Sequence, residues 1–253
     1  LPTKDGFTAL RTAVDKNSGP TVEMLLKHGS DIHLSGKDGY NALTLVADRN
    51  LPEMLKLLVR NGAKINEYDA NGKAALHIAA RRLHVDLIPL LVKLGAKIDL
   101  PTKDGFTALR TAVDKNNVPV VAELIKQGAD VTLPGPDGYS VLTAAADSNQ
   151  VNMLELLVKH DVNIDEYDAN GNSALCIAVE QSCVESVRVL LQLGVDINKP
   201  NDYGTLPLHK AFQKKNQTII GLLLEHDADV NALDARGKTA LHLAIENAYD
   251  SLI

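Results

Sequence analysis

The chain has 253 residues, of which 45% are hydrophobic and 23% charged, and its formal net charge is -6. This length and composition allow a substantial buried core. The acidic balance disfavours a nucleic-acid partner, because proteins that bind phosphate backbones usually carry a basic surface. No stretch reaches the roughly 18 consecutive apolar residues of a membrane-spanning helix, which predicts no membrane insertion.

The chain contains two cysteines, Cys176 and Cys183, and their spacing matches no zinc or redox motif. We therefore expect structural thiols, no disulfide framework, no metal site and no cofactor. The chain does not open on a recognisable secretory signal. These features predict a location in the cytoplasm, with the nucleus as the alternative.

Glycine recurs every 33 residues from one end of the chain to the other, and a leucine follows each of these glycines by four positions. The recurring glycines are Gly6, Gly39, Gly72, Gly105, Gly138, Gly171, Gly204 and Gly237. A small residue follows three positions after the leucine, except in the second period, which has Val46. The spacing predicts a single array over residues 1–253 of about eight repeats, the last of them truncated.

Each period predicts the same local structure, as the fourth one shows. The pair Asp104-Gly105 predicts a tight hairpin turn, because glycine tolerates positive φ. The apolar spacing over residues 107–113 predicts a short first helix. A second helix is predicted over 121–127, ending at Gly128, a residue type favoured just past a helix C-terminus.

Prolines mark the second helices. Pro20, Pro52 and Pro119 fall where a second helix should begin, a position that proline favours. Pro89 falls inside the predicted second helix of the third period, where it should remove a hydrogen bond and bend the helix.

The repeat resembles the ankyrin repeat, whose hallmark T-P-L-H-x-A is followed by a leucine pair and G-A-D-[IV]-N. Matching segments are Thr239-Ala240-Leu241-His242-Leu243-Ala244 and Ala228-Asp229-Val230-Asn231. Alanine usually replaces the motif proline, and Leu206 replaces the motif threonine in the seventh period. The resemblance implies an all-α repeat solenoid, a stack of helix-turn-helix units joined by β-hairpin-like fingers. It also implies a structural hydrogen-bonding role for the motif histidines His77, His209 and His242.

The sequence also contains a longer repetition. Residues 1–17 are identical to residues 100–116, so the three-repeat unit 1–99 is duplicated as 100–198. The duplication either has no functional meaning or provides two copies of one surface for a dimeric or repetitive partner. The first repeat should expose an apolar set that includes Val22, so we expect the chain to be a fragment of a longer array.

The other histidines do not form an obvious site. His28, His160 and His226 end second helices, where an imidazole can hydrogen-bond late carbonyl groups. His33 and His84 have no counterpart in the repeat. Because no nucleophile, phosphate-loop or zinc-protease motif occurs, we expect no enzymatic activity.

The resemblance implies that a protein or peptide partner binds the concave face made by the fingers and first helices. Seven aromatic residues flank the turn glycines on this face: Phe7, Tyr40, Tyr68, Phe106, Tyr139, Tyr167 and Tyr203. Aromatic side chains are frequent binding hot spots, but they can also pack against the neighbouring finger. Arg81 and Arg82, with Lys73 nearby, form a basic spot suited to an acidic side chain or peptide.

The sequence therefore predicts a non-catalytic, monomeric protein-interaction scaffold. One alternative is the regulatory or targeting ankyrin arm of a larger enzyme, channel or pathogen effector. Another is an elastic spacer whose concave face binds nothing tightly.

Overall fold

The computed structural model describes residues 8–160 and 162–246. Over these ranges the chain forms fifteen α-helices and no β-strand. It divides into two compact units, unit 1 over Leu1–Asp130 and unit 2 over Val131–Ile253.

Unit 1 consists of four helix pairs. Its first helices are α1 (Ala9–Asp15), α3 (Ala42–Arg49), α5 (Ala75–Arg82) and α7 (Ala108–Asp114). Its second helices are α2 (Gly19–Lys27), α4 (Pro52–Arg60), α6 (Leu87–Lys93) and α8 (Val118–Lys126). Each first helix packs against the second helix of its own pair and against the first helix of the adjacent pair.

Unit 2 continues the same pattern. Its first helices are α9 (Val141–Asp147), α11 (Ala174–Glu180), α13 (Pro207–Gln213) and α15 (Ala240–Glu246). Its second helices are α10 (Val151–Lys159), α12 (Val184–Gln192) and α14 (Gln217–Glu225). The predicted all-α helix-turn-helix architecture is confirmed in each unit.

Most of the first helices begin after a residue whose side chain accepts a hydrogen bond from the backbone of the first turn, whereas α5 and α13 follow Ala74 and Leu206, which form no such cap. Thr8, Thr107, Ser140 and Ser173 accept this bond over 3.1, 3.1, 3.2 and 3.3 Å. Asn41 and Thr44 form a reciprocal capping box at α3, with bonds of 2.9 and 3.0 Å. Such caps satisfy amide groups that a helix N-terminus leaves without partners, which fixes where each helix starts.

The turn from the first to the second helix depends on one residue with positive φ, which the sequence analysis did not identify. These residues are Asn17, Asn50, Leu83, Asn116, Asn149, Ser182 and Lys215. The next residue then donates to a carbonyl five positions earlier, as Leu51 does to Val46 at 3.1 Å. This pairing ends the first helix and reverses the chain.

Small residues occupy the contact between adjacent first helices. Ala79 and Ala112 in unit 1, and Ala178 and Ala211 in unit 2, are fully buried. Larger side chains of the second helices, such as Leu124, complete the core. Full burial of one leucine stabilises a fold by about 2 kcal/mol, so this repeated packing holds each unit together.

Two expectations from the sequence are wrong. Helix α6 begins at Leu87, so Pro89 lies in its first turn, where the missing amide hydrogen breaks no bond within the helix. The helix starts late and has 7 residues, against 9 in α4. Val22, expected on the surface, is buried within unit 1.

Candidate functional site

The fingers are tight turns built around an aspartate side chain. In unit 1, Oδ1 of Asp69 accepts hydrogen bonds from the amides of Asn71 and Lys73, at 2.9 and 3.0 Å. The amide of Asp69 donates to the carbonyl of Lys73 at 2.8 Å, which closes the turn. Asp168 organises the corresponding finger of unit 2 in the same way.

Successive fingers are linked through their backbones. In unit 1 the amide of Ala70 donates to the carbonyl of Gly39, and that of Lys103 to Gly72, both at 2.9 Å. Gly39 has φ +85°, and a Cβ atom there would lie 2.2 Å from the amide nitrogen of the Asn71 side chain, so any other residue would be strained and would displace that side chain. The fingers therefore form a fixed row in each unit instead of independent loops.

Tyr68 and Tyr167, which precede the turn glycines Gly72 and Gly171 by four residues, connect consecutive repeats. The hydroxyl of Tyr68 donates to the carbonyl of Pro101 at 2.7 Å, and that of Tyr167 to Pro200 at 2.6 Å. The ammonium group of Lys199 lies 4.3 Å from the centre of the Tyr167 ring. Both tyrosines thus have structural contacts, in line with the packing alternative, and their contact with a partner stays a prediction.

The remaining predicted aromatic residues differ in exposure. Phe106 is half-buried, with the guanidinium carbon of Arg110 5.9 Å from its ring centre, and Tyr139 is also half-buried. Tyr203 is 71% exposed, which is the arrangement expected of a contact residue. Phe7 lies outside the described residues.

The structure brings Tyr40, one of the predicted aromatic residues, together with the predicted basic pair Arg81 and Arg82. The hydroxyl of Tyr40 donates to Oδ1 of Asp48 at 3.2 Å and accepts from Nη2 of Arg81 at 2.6 Å. Nε of Arg82 donates to the same Asp48 oxygen at 2.5 Å. We call Tyr40, Asp48, Arg81 and Arg82 the arginine cluster. It lies where α3 and α5 end, beside the fingers of unit 1.

Asp48 is the centre of the arginine cluster and was missed by the sequence analysis. Its side chain is only 8% exposed, so its carboxylate is shielded while the Arg82 side chain stays 49% exposed. The hydrogen bond to Asp48 and, after it, the nearby Tyr40 hydroxyl raise the pKa of Arg82. The signal for Asp48 was present in the sequence, because aspartate recurs at the ends of first helices as Asp15, Asp114 and Asp147.

The corresponding site in the duplicated segment has a different charge. Gln181 replaces Arg82 and donates to Oδ1 of Asp147 at 2.8 Å. Glu180 replaces Arg81 and pairs with Lys210 at 2.5 Å and with Lys214. Burial raises the pKa of Glu180, but these two lysines outweigh it and hold the pKa below its ordinary value. The duplication has therefore kept the framework and changed the charges at the helix ends.

Two of the motif histidines, His77 and His209, connect adjacent repeats, whereas His242 bonds to Thr239 of its own repeat. Nδ1 of His77 accepts from the amide of Ala74 at 3.1 Å, and Nε2 donates to the carbonyl of Leu100 at 2.7 Å. His209 reaches the carbonyl of Lys238 at 2.8 Å in the same way. Burial lowers the pKa of His77, and the two hydrogen bonds only partly oppose this. A neutral, buried imidazole bridging two backbones has a structural role.

The two histidines without a counterpart in the repeat also connect neighbouring repeats. Nδ1 of His33 lies 2.5 Å from Oε2 of Glu67, and Nε2 of His84 lies 3.1 Å from the carbonyl oxygen of Asp48. At the ends of second helices, Nδ1 of His28 and of His226 lies 2.8 and 2.9 Å from a carbonyl four residues earlier. These contacts account for the imidazoles without a catalytic role.

The thiols are not arranged for nucleophilic chemistry. Burial raises the pKa of both Cys176 and Cys183, the opposite of the shift that activates a cysteine. Within residues 8–160 and 162–246, no three histidine, cysteine or carboxylate side chains are placed to share a metal ion. None of the described helices has the length and apolarity needed to cross a bilayer.

Family models match the chain along most of its length. A model described as ankyrin repeats in three copies matches residues 43–134 and 132–201, one of many copies matches 190–244, and a single ankyrin repeat matches 5–37. The chain belongs to the ankyrin-repeat family, a class of protein-interaction modules. No match was found among curated proteins.

Solved structures show the same fold. The ankyrin repeat domain of Bcl-3, described as a unique member of the IkappaB protein family, is 23% identical, with a TM-score of 0.72 over 95% of both chains. The human ASB11 ankyrin repeat domain is 28% identical, with a TM-score of 0.67, covering 81% of this chain and 91% of its own.

Proposed function

We propose that the chain is a non-catalytic scaffold that binds a partner protein through the finger-and-helix face, meaning the fingers together with the C-terminal ends of the first helices. The observation that supports this is a contrast between neighbouring positions. The buried positions repeat the same small residue, as in Ala79 and Ala112, whereas the exposed helix ends change in charge from repeat to repeat. Packing accounts for the first pattern, and recognition of a partner accounts for the second.

The fixed row of fingers supports the same proposal. A rigid, pre-formed surface loses little conformational entropy when a partner binds, which favours affinity. Arg82 extends from the finger-and-helix face of unit 1 and Tyr203 from that of unit 2, and both residue types are common among binding hot spots.

Affinity capture with the full chain, read by quantitative mass spectrometry, tests the proposal. Tyr203→Ala and Arg82→Gln alter the finger-and-helix face, and Arg60→Gln and Lys159→Gln are controls at exposed ends of second helices. We expect a saturable partner that is lost with at least one face variant and kept with both controls. Loss confined to the controls would place the interface elsewhere, and no saturable partner for the parent chain would favour a spacer.

A further inference from the structure

The C-terminal end of α5 differs from the other first-helix ends of unit 1 in two ways. Arg81 occupies a position that is aspartate in the other three repeats: Asp15, Asp48 and Asp114. Leu83 occupies the turn position that is asparagine in those repeats: Asn17, Asn50 and Asn116. This helix end has therefore lost an acidic group and gained an apolar one.

Leu83 is unfavourable here on structural grounds. Its φ is +68°, and its side chain is 54% exposed. Among the described non-glycine residues with positive φ it is the only apolar one. A left-handed conformation costs a residue with a Cβ roughly 1 kcal/mol, and asparagine tolerates it better. Neither backbone conformation nor core packing favours leucine at this place, and strained residues often occur at functional sites.

Arg81 also leaves a neighbouring cation without the partner it would have elsewhere. Arg49 and Arg82 each bond to an aspartate in the last turn of the preceding first helix, Asp15 at 3.0 Å and Asp48 at 2.5 Å. Lys115 is exposed and occupies the position in the fourth repeat that corresponds to Arg49 and Arg82. The residue that corresponds to their aspartate partners is Arg81. The two cations Arg81 and Lys115 thus occupy positions that form an arginine–aspartate ion pair earlier in the array.

The polar contacts of Arg81 are incomplete as well. Nη2 donates to Tyr40, whereas Nε is buried and has no hydrogen-bond partner among the described residues. Because Nε is buried, an incoming carboxylate would meet Arg81 through the terminal Nη groups, which can donate further N–H bonds.

The charge of unit 1 suits an acidic ligand. Its sequence has 18 lysines and arginines and 15 aspartates and glutamates, a formal net charge of +3, whereas unit 2 has 8 and 17, a net charge of -9. The acidic total for the chain therefore conceals a cationic unit. In the duplicated segment the residues Glu180, Gln181 and Ser182 replace Arg81, Arg82 and Leu83, so the two copies are not equivalent surfaces.

We propose that Arg81, Arg82, Leu83 and Lys115 form a docking site for an acidic peptide segment of a partner protein, with an apolar side chain next to its carboxylates. The carboxylates pair with the cations, and the apolar side chain covers Leu83. This docking site depends on the proposed scaffold function, to which it adds the chemical class of the partner segment. A phosphate polymer is disfavoured, because it would leave Leu83 uncovered and would meet few cations.

Selection of a displayed random-peptide library on the full chain tests this site. We expect the enriched peptides to combine aspartate or glutamate with leucine, isoleucine or phenylalanine. Affinity is then measured by fluorescence anisotropy for the selected peptides and for versions with glutamine in place of glutamate. The glutamine versions should bind roughly tenfold more weakly, and added salt should weaken the parent peptides more than these versions.

The duplicated segment provides a variant that unit 2 already accommodates. The triple change Arg81→Glu, Arg82→Gln and Leu83→Ser gives α5 the helix end of α11. This triple variant should bind the selected peptides roughly a hundredfold more weakly. Leu83→Asn alone should lower their affinity about tenfold, because burial of a leucine is lost. Arg60→Gln, at an exposed second-helix end, should leave the affinity unchanged.

Several results would overturn the site. Enriched peptides without acidic residues would do so, and so would peptides that bind the triple variant as tightly as the parent. Tighter binding of duplex DNA or phosphatidylserine vesicles to these same residues would show that the ligand is a polyanion and not a peptide. Peptides that tolerate the triple variant but not Tyr203→Ala would overturn the site and leave the scaffold intact. The absence of any saturable peptide would overturn the site, whereas the affinity capture of a partner protein decides the scaffold function.

Discussion

The hydroxyl of Tyr68 donates a hydrogen bond to the carbonyl oxygen of Pro101, 2.7 Å away and 33 residues later in the chain. Tyr167 and Pro200 repeat this bond in unit 2 at 2.6 Å. A side chain of one repeat thus holds the backbone of the next, which links neighbouring fingers independently of the core.

Removing this hydroxyl should weaken the fold without changing its packing. We expect Tyr68→Phe to lower the free energy of unfolding by about 0.5–1.5 kcal/mol, the usual contribution of one hydrogen bond. Urea denaturation followed by circular dichroism measures the change. Tyr203→Phe is the control, since that side chain is largely exposed, and it should change stability little. Equal losses in the two variants would contradict the prediction.

His77 should make the fold sensitive to mild acid. Burial lowers its pKa in the folded protein, so the native state favours the neutral imidazole. The contribution of His77 to the free energy of unfolding is then complete above the unfolded-state pKa of about 6.5. It is lost as the pH falls through the lower folded-state pKa.

The control for His77 is a residue that the chain itself uses in the same slot. Thr44 occupies that slot in α3 and accepts from the amide of Asn41 at 3.0 Å. In urea denaturation at about pH 7.5 and about pH 5, the parent chain should lose more stability than His77→Thr. Parallel pH dependence in the two proteins would show that His77 does not couple protonation to folding.

Two glycines with similar backbone conformations should differ in their tolerance of alanine. Gly204 has φ +72°, and an added Cβ would lie 2.7 Å from Cβ of Ala235. Gly194 has φ +82° and no atom within 4 Å of an added Cβ. Gly194→Ala should therefore cost about 1 kcal/mol from backbone strain, and Gly204→Ala about 2–4 kcal/mol, because the fingers must also move apart. Similar midpoints of urea unfolding would mean that the fingers yield freely.

Leu83 should limit the stability of unit 1. Leu83→Asn is expected to raise the free energy of unfolding by about 0.5–1 kcal/mol, because asparagine accepts the left-handed conformation more readily. The reverse exchange one repeat later, Asn116→Leu, should lower it by a similar amount. Urea denaturation of both variants measures this, and a destabilised Leu83→Asn would show that the leucine contributes packing instead. A gain in stability together with a loss of peptide affinity would show that Leu83 serves peptide binding at the expense of stability.

Most of the repeat could be predicted because its signals are local. The pair Asp104-Gly105 encodes its own turn, and the apolar spacing after Thr107 encodes its own helix. The positive-φ residues between paired helices were missed, because asparagine there becomes a signal only when the end of the preceding helix is known. Pro89 was misplaced for the same reason: whether a proline breaks a helix depends on where the helix begins.

The candidate site was predicted less completely. The sequence singled out Tyr40, Arg81 and Arg82. The structure places these residues around the carboxylate of Asp48, which the sequence had not singled out. Tyr68 and Tyr167 were also selected, yet their hydroxyl groups are used within the fold. Residue type and repeat position indicate which side chains lie near the face, but they do not indicate which are already bonded.

The sequence by itself determined the 33-residue register, the alternation of first and second helices and the glycine turns. Turn chemistry, helix caps and apolar spacing act between residues of one repeat, so a linear reading recovers them. Only the tertiary structure decided which side chains meet across repeats, such as Arg82 with Asp48. These contacts depend on how closely adjacent helix pairs pack and which rotamers their side chains adopt, and neither is encoded within a single repeat.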